Sequence, residues 1–223
     1  GCKMNRADSE AILEGFERRG WTTVPFNAEA DVYIVNTCTV TGPADHQARQ
    51  LLRRALKRKS DAPGTLVVAT GCYAQTDPAG LRGFLPGVDI VAGNLEKENL
   101  AEAVERFLDK HANPAADTVG DVSTAREFAP ARTGGFRGMT RAYLRVQDGC
   151  DNRCAYCIVP FARGPSRSAP PGLVIDQARA LAEAGHKEII VTGIHAGRYG
   201  LDLSPRTSLA ELIRSLHDIN EIG

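Results

Sequence analysis

The 223 residues are 43% hydrophobic, 24% charged and 6% aromatic, and 27 lysines and arginines balance 27 aspartates and glutamates. That composition belongs to a globular chain of one or two domains with a buried core, and it excludes collagen-like, disordered and small disulfide-scaffold classes. No apolar run approaches the roughly 20 residues of a membrane-spanning helix and no secretory leader pattern opens the chain, so it reads as cytoplasmic; zero net charge excludes bulk capture of nucleic acid but not a local basic face.

In chain order, residues 1–111 alternate short β-branched runs with amphipathic stretches, the pattern of βα units around a parallel sheet. Helices are expected over 8–19, with Asp8 or Ser9 as N-cap and Gly20 at the end, and over 43–59, 77–84 and 95–111. Strands are expected over 22–26, 31–36, 65–70 and 88–91, the second suited to burial on both faces. Between Ala112 and Gly138 periodicity gives way to Pro and Gly, which reads as a linker with a short edge strand near 118–122. A second βαβα unit follows, with strands over 141–147 and 188–193 and helices over 173–184 and 209–219. Two βα repeats cannot close a barrel. The expected fold is therefore α/β: an open parallel sheet domain (1–111), a linker (112–138), and the start of a (βα) barrel (139–223), truncated. Gly1-Cys2 sits where a preceding strand is expected to end, which also points to a fragment.

The six cysteines form two sets. Cys150, Cys154 and Cys157 place three thiols within eight residues, directly after an expected strand. A disulfide framework leaves one of the three unpaired and suits a cytosolic chain poorly, and structural zinc is one ligand short. Three thiolates fit an iron-sulfur cluster with one iron left open; zinc or a disulfide remain the alternatives. Cys38 and Cys72 each follow an expected strand end, as Cys2 follows the place of a missing one. All three then lie on the carboxyl edge of one parallel sheet, where open α/β sheets bind ligands. Three unrelated buried cysteines are the plain alternative. Their equivalent positions beside small residues favour a second metal centre.

These residues carry a family resemblance. The tight trio, with Tyr156 before its last cysteine, resembles the radical S-adenosylmethionine signature. Gly1-Cys2-Lys3-Met4-Asn5, Asn36-Thr37-Cys38-Thr39-Val40 and Gly71-Cys72-Tyr73-Ala74-Gln75 resemble the N-terminal domain of the methylthiotransferases, and the run from Cys157 to Ser168 resembles the stretch that follows their cluster loop. The resemblance implies two [4Fe-4S] clusters. One, on Cys150, Cys154 and Cys157, binds S-adenosyl-L-methionine. The other, on Cys2, Cys38 and Cys72, carries the sulfur to be transferred. It also implies that Tyr156 lies near the adenine and that Gly193 and Ile194 approach the cofactor. Thr192-Gly193-Ile194-His195-Ala196-Gly197-Arg198-Tyr199-Gly200, Lys3 and the run Cys38-Thr39-Val40-Thr41 look like the branch that methylthiolates N6-threonylcarbamoyladenosine beside the tRNA anticodon. Methylthiolation of isopentenyladenosine in tRNA or of a ribosomal protein side chain is the near alternative, and a non-catalytic zinc or redox module the distant one. The implied partners are tRNA, an electron donor for cluster reduction and a sulfur donor, with no membrane.

Ala169-Pro170-Pro171 departs from the family, which commonly continues with a basic residue there. The later barrel strands and the C-terminal RNA-binding domain of the family are not in this sequence, so turnover is expected to need more than this fragment. Arg163 and Arg167 in the post-cluster stretch are candidates for RNA contact. The stripe Arg49, Arg53 and Lys57 reads first as a solvated helix face, and His195 as a residue lining the site.

Overall fold

The computed structural model describes residues 1–109, 117–130, 134–136 and 138–219. In chain order the first unit holds α1 (Lys3–Glu17), β1 (Val32–Thr37), α2 (Gly42–Asp61), β2 (Leu66–Gly71), α3 (Cys72–Thr76), α4 (Pro78–Phe84), β3 (Ile90–Ala92), α5 (Leu100–Leu108) and β4 (Asp117–Thr118). The second holds β5 (Arg141–Asp148), α6 (Val159–Arg163), β6 (Arg167–Ser168), α7 (Pro171–Glu183), β7 (Glu188–Gly193) and α8 (Leu209–His217).

The first sheet is parallel in the order β1-β2-β3-β4, and β2 is buried along its whole length. Alternation along β2 explains the two layers: Val67 and Ala69 pack with Leu52 of α2 and Leu81 of α4, and Leu66 and Val68 pack with Ile12 and Phe16 of α1 and Leu100 of α5. In the second sheet β7 pairs parallel and β6 antiparallel with β5. Ala142, Leu144 and Val146 of β5 face a core shared with Val174 and Leu181 of α7 and Leu212 of α8. The capping box of Ser208 and Glu211 starts α8.

Four expectations are corrected. The first helix begins at Lys3, capped by Cys2, whose sulfur accepts the Asn5 N–H at 3.4 Å; Asp8 lies inside the helix and is buried, so it cannot cap it. Residues 22–26 form no strand, because a β-branched run needs a neighbouring ladder, and among the described residues β1 at the sheet edge pairs with β2 alone. The helix expected over 95–111 is a 3₁₀ turn at Glu96–Asn99 followed by α5, and residue 111 lies outside the described residues. The short edge strand falls at 117–118, and Val122–Thr124 is a 3₁₀ turn.

The described part of the 112–138 stretch is packed. Val122 and Phe136 are buried, and the Phe136 N–H donates to His186 Nε2 at 2.9 Å. α1 serves both units: Ala7 joins the core of the second sheet, and Ile12 and Phe16 join that of the first.

Candidate metal centres

At the carboxyl edge of the first sheet, Thr37 and Gly71 are register partners, and Cys38 and Cys72 are the residues that follow them. The Thr37 hydroxyl donates to Thr70 O at 2.5 Å and accepts the Ala74 N–H at 3.2 Å, which fixes both strand ends and the start of α3. Gly71 has φ 95°, and a Cβ there would lie 2.3 Å from Thr37 O, so only glycine permits this approach. Cys2 reaches the same edge through Asn5. Its side-chain amide donates to Asn36 O at 3.1 Å and Thr37 O at 3.2 Å, and the Asn36 amide donates back to Asn5 O at 2.9 Å.

The Cys2 and Cys38 thiols share a hydrogen bond that splits their acidities, raising Cys2 and lowering Cys38 to about 6. Cys72 lies close enough to act electrostatically on Cys38. All three cysteines are free, with Cys38 and Cys72 buried and Cys2 exposed. Among the described residues no three His, Cys, Asp or Glu side chains close tightly enough around one point to hold a single metal ion. A polynuclear cluster spaces its thiolates more widely, and a set of three free thiols suits that group.

The second trio is held by a loop that folds back on itself. Gly149 has φ 70°, and a Cβ there would lie 1.9 Å from Pro165 O; the Cys150 N–H donates to Gly164 O at 3.0 Å and closes the loop. Gln147, fully buried, ties the parts together. Its amide donates to Asp148 O at 2.9 Å, Gly149 O at 2.7 Å and Ser166 Oγ at 3.0 Å, and its Oε1 accepts the His195 N–H at 2.7 Å. Inside the loop the Cys157 N–H donates to Cys154 O at 3.0 Å. Cys154 is exposed, Cys150 and Cys157 are half-buried, and Cys150 Sγ lies 3.8 Å from His195 Nδ1. Three free thiols with an open side again suit an iron-sulfur cluster. Gly193 pairs with Gln147 at the end of β7, Ile194 follows it half-buried, and Tyr156 stands 92% exposed on the loop.

The two trios flank one contact, α3 against α6. The Asn94 amide donates to Ala162 O of α6 at 2.5 Å and lies 3.8 Å from Cys72 Sγ. Beside it Asp8 takes Lys97 at 2.7 Å, Arg145 at 2.9 Å and Arg163 at 2.8 Å, and Asp148 takes Arg163 at 3.2 Å, Arg145 at 3.5 Å and Arg167 at 3.8 Å. Burial alone would raise the Asp8 carboxyl, but Lys97, Arg163 and Arg145 outweigh it and hold it well below the usual carboxylate range. Burial likewise disfavours charged Arg163, yet Asp148 and Asp8 lift it well above its ordinary value.

This changes the reading of two residues. Arg163 and Arg167, expected to meet RNA, are buried and committed to Asp8, Asp148 and the Pro165 carbonyl. On the other expected basic face, Arg49 stacks over Tyr73 and Phe84, while Arg53 and Lys57 are exposed. The sequence reading missed Asp8, Asn94, Lys97, Arg145, Gln147 and Asp148. One signal was available: Asp8 shares the 4-residue spacing of Ile12 and Phe16 and so lies on the apolar face of α1.

Comparison with known proteins gives two family matches. The model described as "Uncharacterized protein family UPF0004" matches residues 1–93, and the Radical SAM superfamily matches 144–221. The threonylcarbamoyladenosine tRNA methylthiotransferase MtaB of Bacillus subtilis is 41% identical over 91% of this chain and 44% of its own length. The ribosomal protein uS12 methylthiotransferase RimO of Desulforudis audaxviator is 34% identical over 97% of this chain and 47% of its own. A structure of the radical S-adenosylmethionine methyltransferase TsrM of Kitasatospora setae superposes with TM-score 0.57 at 14% identity, covering 93% of this chain and 47% of that one, which shows a shared fold. The chain spans about half the length of the curated relatives it matches. With a UPF0004 match followed by a radical SAM match, and identity to methylthiotransferases across nearly its whole length, the chain is similar to the radical S-adenosylmethionine methylthiotransferases.

Proposed function

We propose that the whole protein is an enzyme that adds a methylthio group at a C–H bond of N6-threonylcarbamoyladenosine beside the tRNA anticodon. The observation that carries this reading is the pair of cysteine trios, each at the carboxyl edge of its own sheet and both beside the α3–α6 contact. Identity of 41% to a relative named for this substrate supports the choice over the ribosomal-protein reaction, for which the relative quoted above is 34% identical.

Cys150, Cys154 and Cys157 would hold one [4Fe-4S] cluster and Cys2, Cys38 and Cys72 another. With S-adenosyl-L-methionine these supply radical chemistry and transferable sulfur, which an unactivated aromatic C–H bond requires because side-chain acids and bases cannot open it. The protein's own share is placement. Gln147 aligns the start of the cluster loop with the end of β7, so that Gly193 and Ile194 border the cofactor side, and the exposed Tyr156 ring offers an aromatic face to the adenine. The Asn5 and Thr37 bonds keep Cys2 with Cys38 and Cys72. An electron donor and a sulfur donor are the remaining partners. No described helix is long and apolar enough to cross a membrane.

Mass spectrometry of tRNA nucleosides from cells lacking the full-length protein tests the reading. Loss of the methylthio form of threonylcarbamoyladenosine supports it. Unchanged nucleosides, with or without loss of a ribosomal-protein methylthio group, overturn it.

A further inference from the structure

A buried cluster of charge has no part in the chemistry above. Four cations, Lys97, Arg145, Arg163 and Arg167, surround two carboxylates, Asp8 and Asp148, with side chains between 2% and 12% exposed. Asp8 comes from α1 and Lys97 from the 3₁₀ turn of the first unit; the other four come from β5, α6 and β6 of the second. Buried ion pairs are poor stabilisers, since apolar side chains of similar volume often hold two surfaces together as well or better. What they supply is registry. A shift that strips one partner leaves an uncompensated charge out of water, whereas an apolar face tolerates sliding.

We propose that Asp8 is a positioning residue whose contacts with Lys97, Arg145 and Arg163 fix the placement of one cysteine trio relative to the other. Asp8, Arg163, Asp148 and Lys97 each sit within six residues of a cysteine or of Asn94, which contacts one. Asp8 follows Cys2 by six residues on the same helix. Arg163 ends α6, which begins two residues after Cys157, and Asp148 precedes Cys150 by two. Lys97 follows Asn94 by three, and Asn94 joins Ala162 to the Cys72 sulfur. Asp8 Oδ1 takes Arg145 from β5, and Oδ2 takes both Lys97 of its own unit and Arg163 of the other. A single carboxylate thus joins α1 and the 3₁₀ turn of the first unit to β5 and α6 of the second. The inference rests on the reading of both trios as cluster sites, and it adds the device that sets their separation.

Two measurements on the full-length protein, native and Asp8→Asn, test it. The first is amide hydrogen exchange without clusters. In Asp8→Asn, exchange at α6 and at Glu96–Asn99 is expected to rise at least tenfold while β2 and β5 keep their protection. Unchanged exchange at α6 overturns the proposal, and so does loss of protection that extends to β2 and β5, since that makes Asp8 a determinant of folding. If Asp8→Asn does not fold, Lys97→Met, which removes one of the three cations, decides by the same pattern with a smaller rise. The second is electron paramagnetic resonance of protein reconstituted with iron and sulfide. Spin–spin broadening between two reduced clusters is expected in the native protein and is expected to weaken in Asp8→Asn at unchanged iron content, with recovery in Asp8→Glu. Broadening that persists in Asp8→Asn overturns the proposal. Iron for only one cluster in the native protein overturns the two-centre reading instead, and the exchange experiment then still decides whether Asp8 sets the placement of the two units.

Discussion

The two cysteine trios reach similar donor sets by opposite routes. Cys150, Cys154 and Cys157 come from eight consecutive residues, and the loop that carries them is closed by nearby partners such as Gly164 and Ser166. Cys2, Cys38 and Cys72 are spread over seventy-one residues and meet only because β1 and β2 end in register and Asn5 staples the start of α1 to the end of β1. The first site is a property of a loop and the second a property of a sheet. Damage to the fold of the first unit should therefore reach the scattered trio before the tight one.

The largest effects should come from removing the thiols themselves. Replacing Cys150, Cys154 and Cys157 by Ala should remove about half of the reconstituted iron, if each trio holds one cluster, and abolish cleavage of S-adenosyl-L-methionine by the full-length enzyme. Replacing Cys2, Cys38 and Cys72 should remove a similar share but leave that cleavage in place while methylthiolated product is lost. Iron content and 5′-deoxyadenosine are the readouts, and equal loss of cleavage in both variants would erase the distinction between the sites.

Glycine substitutions break the comparison more gently. Gly71→Ala forces a Cβ against Thr37 O and gives a left-handed φ to a residue with a side chain, at a cost of about 2–4 kcal/mol, and should empty the scattered trio alone. Gly149→Ala meets Pro165 O at shorter range and should empty the tight trio alone. Iron analysis with chemical denaturation checks both.

The charge network between the units should respond to pH in one direction. The Asp8 carboxyl is lowered in the folded protein by Lys97, Arg163 and Arg145 against the effect of burial. Its stabilisation is therefore fully present above the unfolded carboxyl value of about 3.9 and is lost only as pH falls through the lower folded value. Opening free energies for α6 from hydrogen exchange, corrected for the intrinsic pH dependence of exchange, should show no loss of the Asp8 contribution between pH 5 and 8. A loss within that window would contradict the assignment.

The smallest effect concerns Tyr156, whose 92% exposure leaves little packing to lose. Tyr156→Ala should change stability by no more than about 0.5 kcal/mol and leave iron content intact, while weakening S-adenosyl-L-methionine binding measured by calorimetry on the cluster-loaded protein.

Much of this molecule was legible before its structure. The strands expected over 31–36, 65–70 and 188–193 appear at Val32–Thr37, Leu66–Gly71 and Glu188–Gly193, because apolar β-branched runs bounded by turns depend mainly on local pattern. Cysteine spacing likewise suggested both candidate trios, the tight one from the loop alone and the scattered one from its relation to strand ends. What the sequence could not decide was who stands beside whom. Residues 22–26 have strand composition but no ladder to join, Asp8 resembled a helix cap until α1 was seen to begin at Lys3, and Arg163 and Arg167 resembled phosphate ligands until Asp8 and Asp148 were found against them. Periodicity reports a residue's own helix face or strand face, because the backbone repeat imposes it. The partner of a buried charge is set by how two units dock, a relation that separates Asp8 from Arg163 by 155 positions and leaves no local pattern to read.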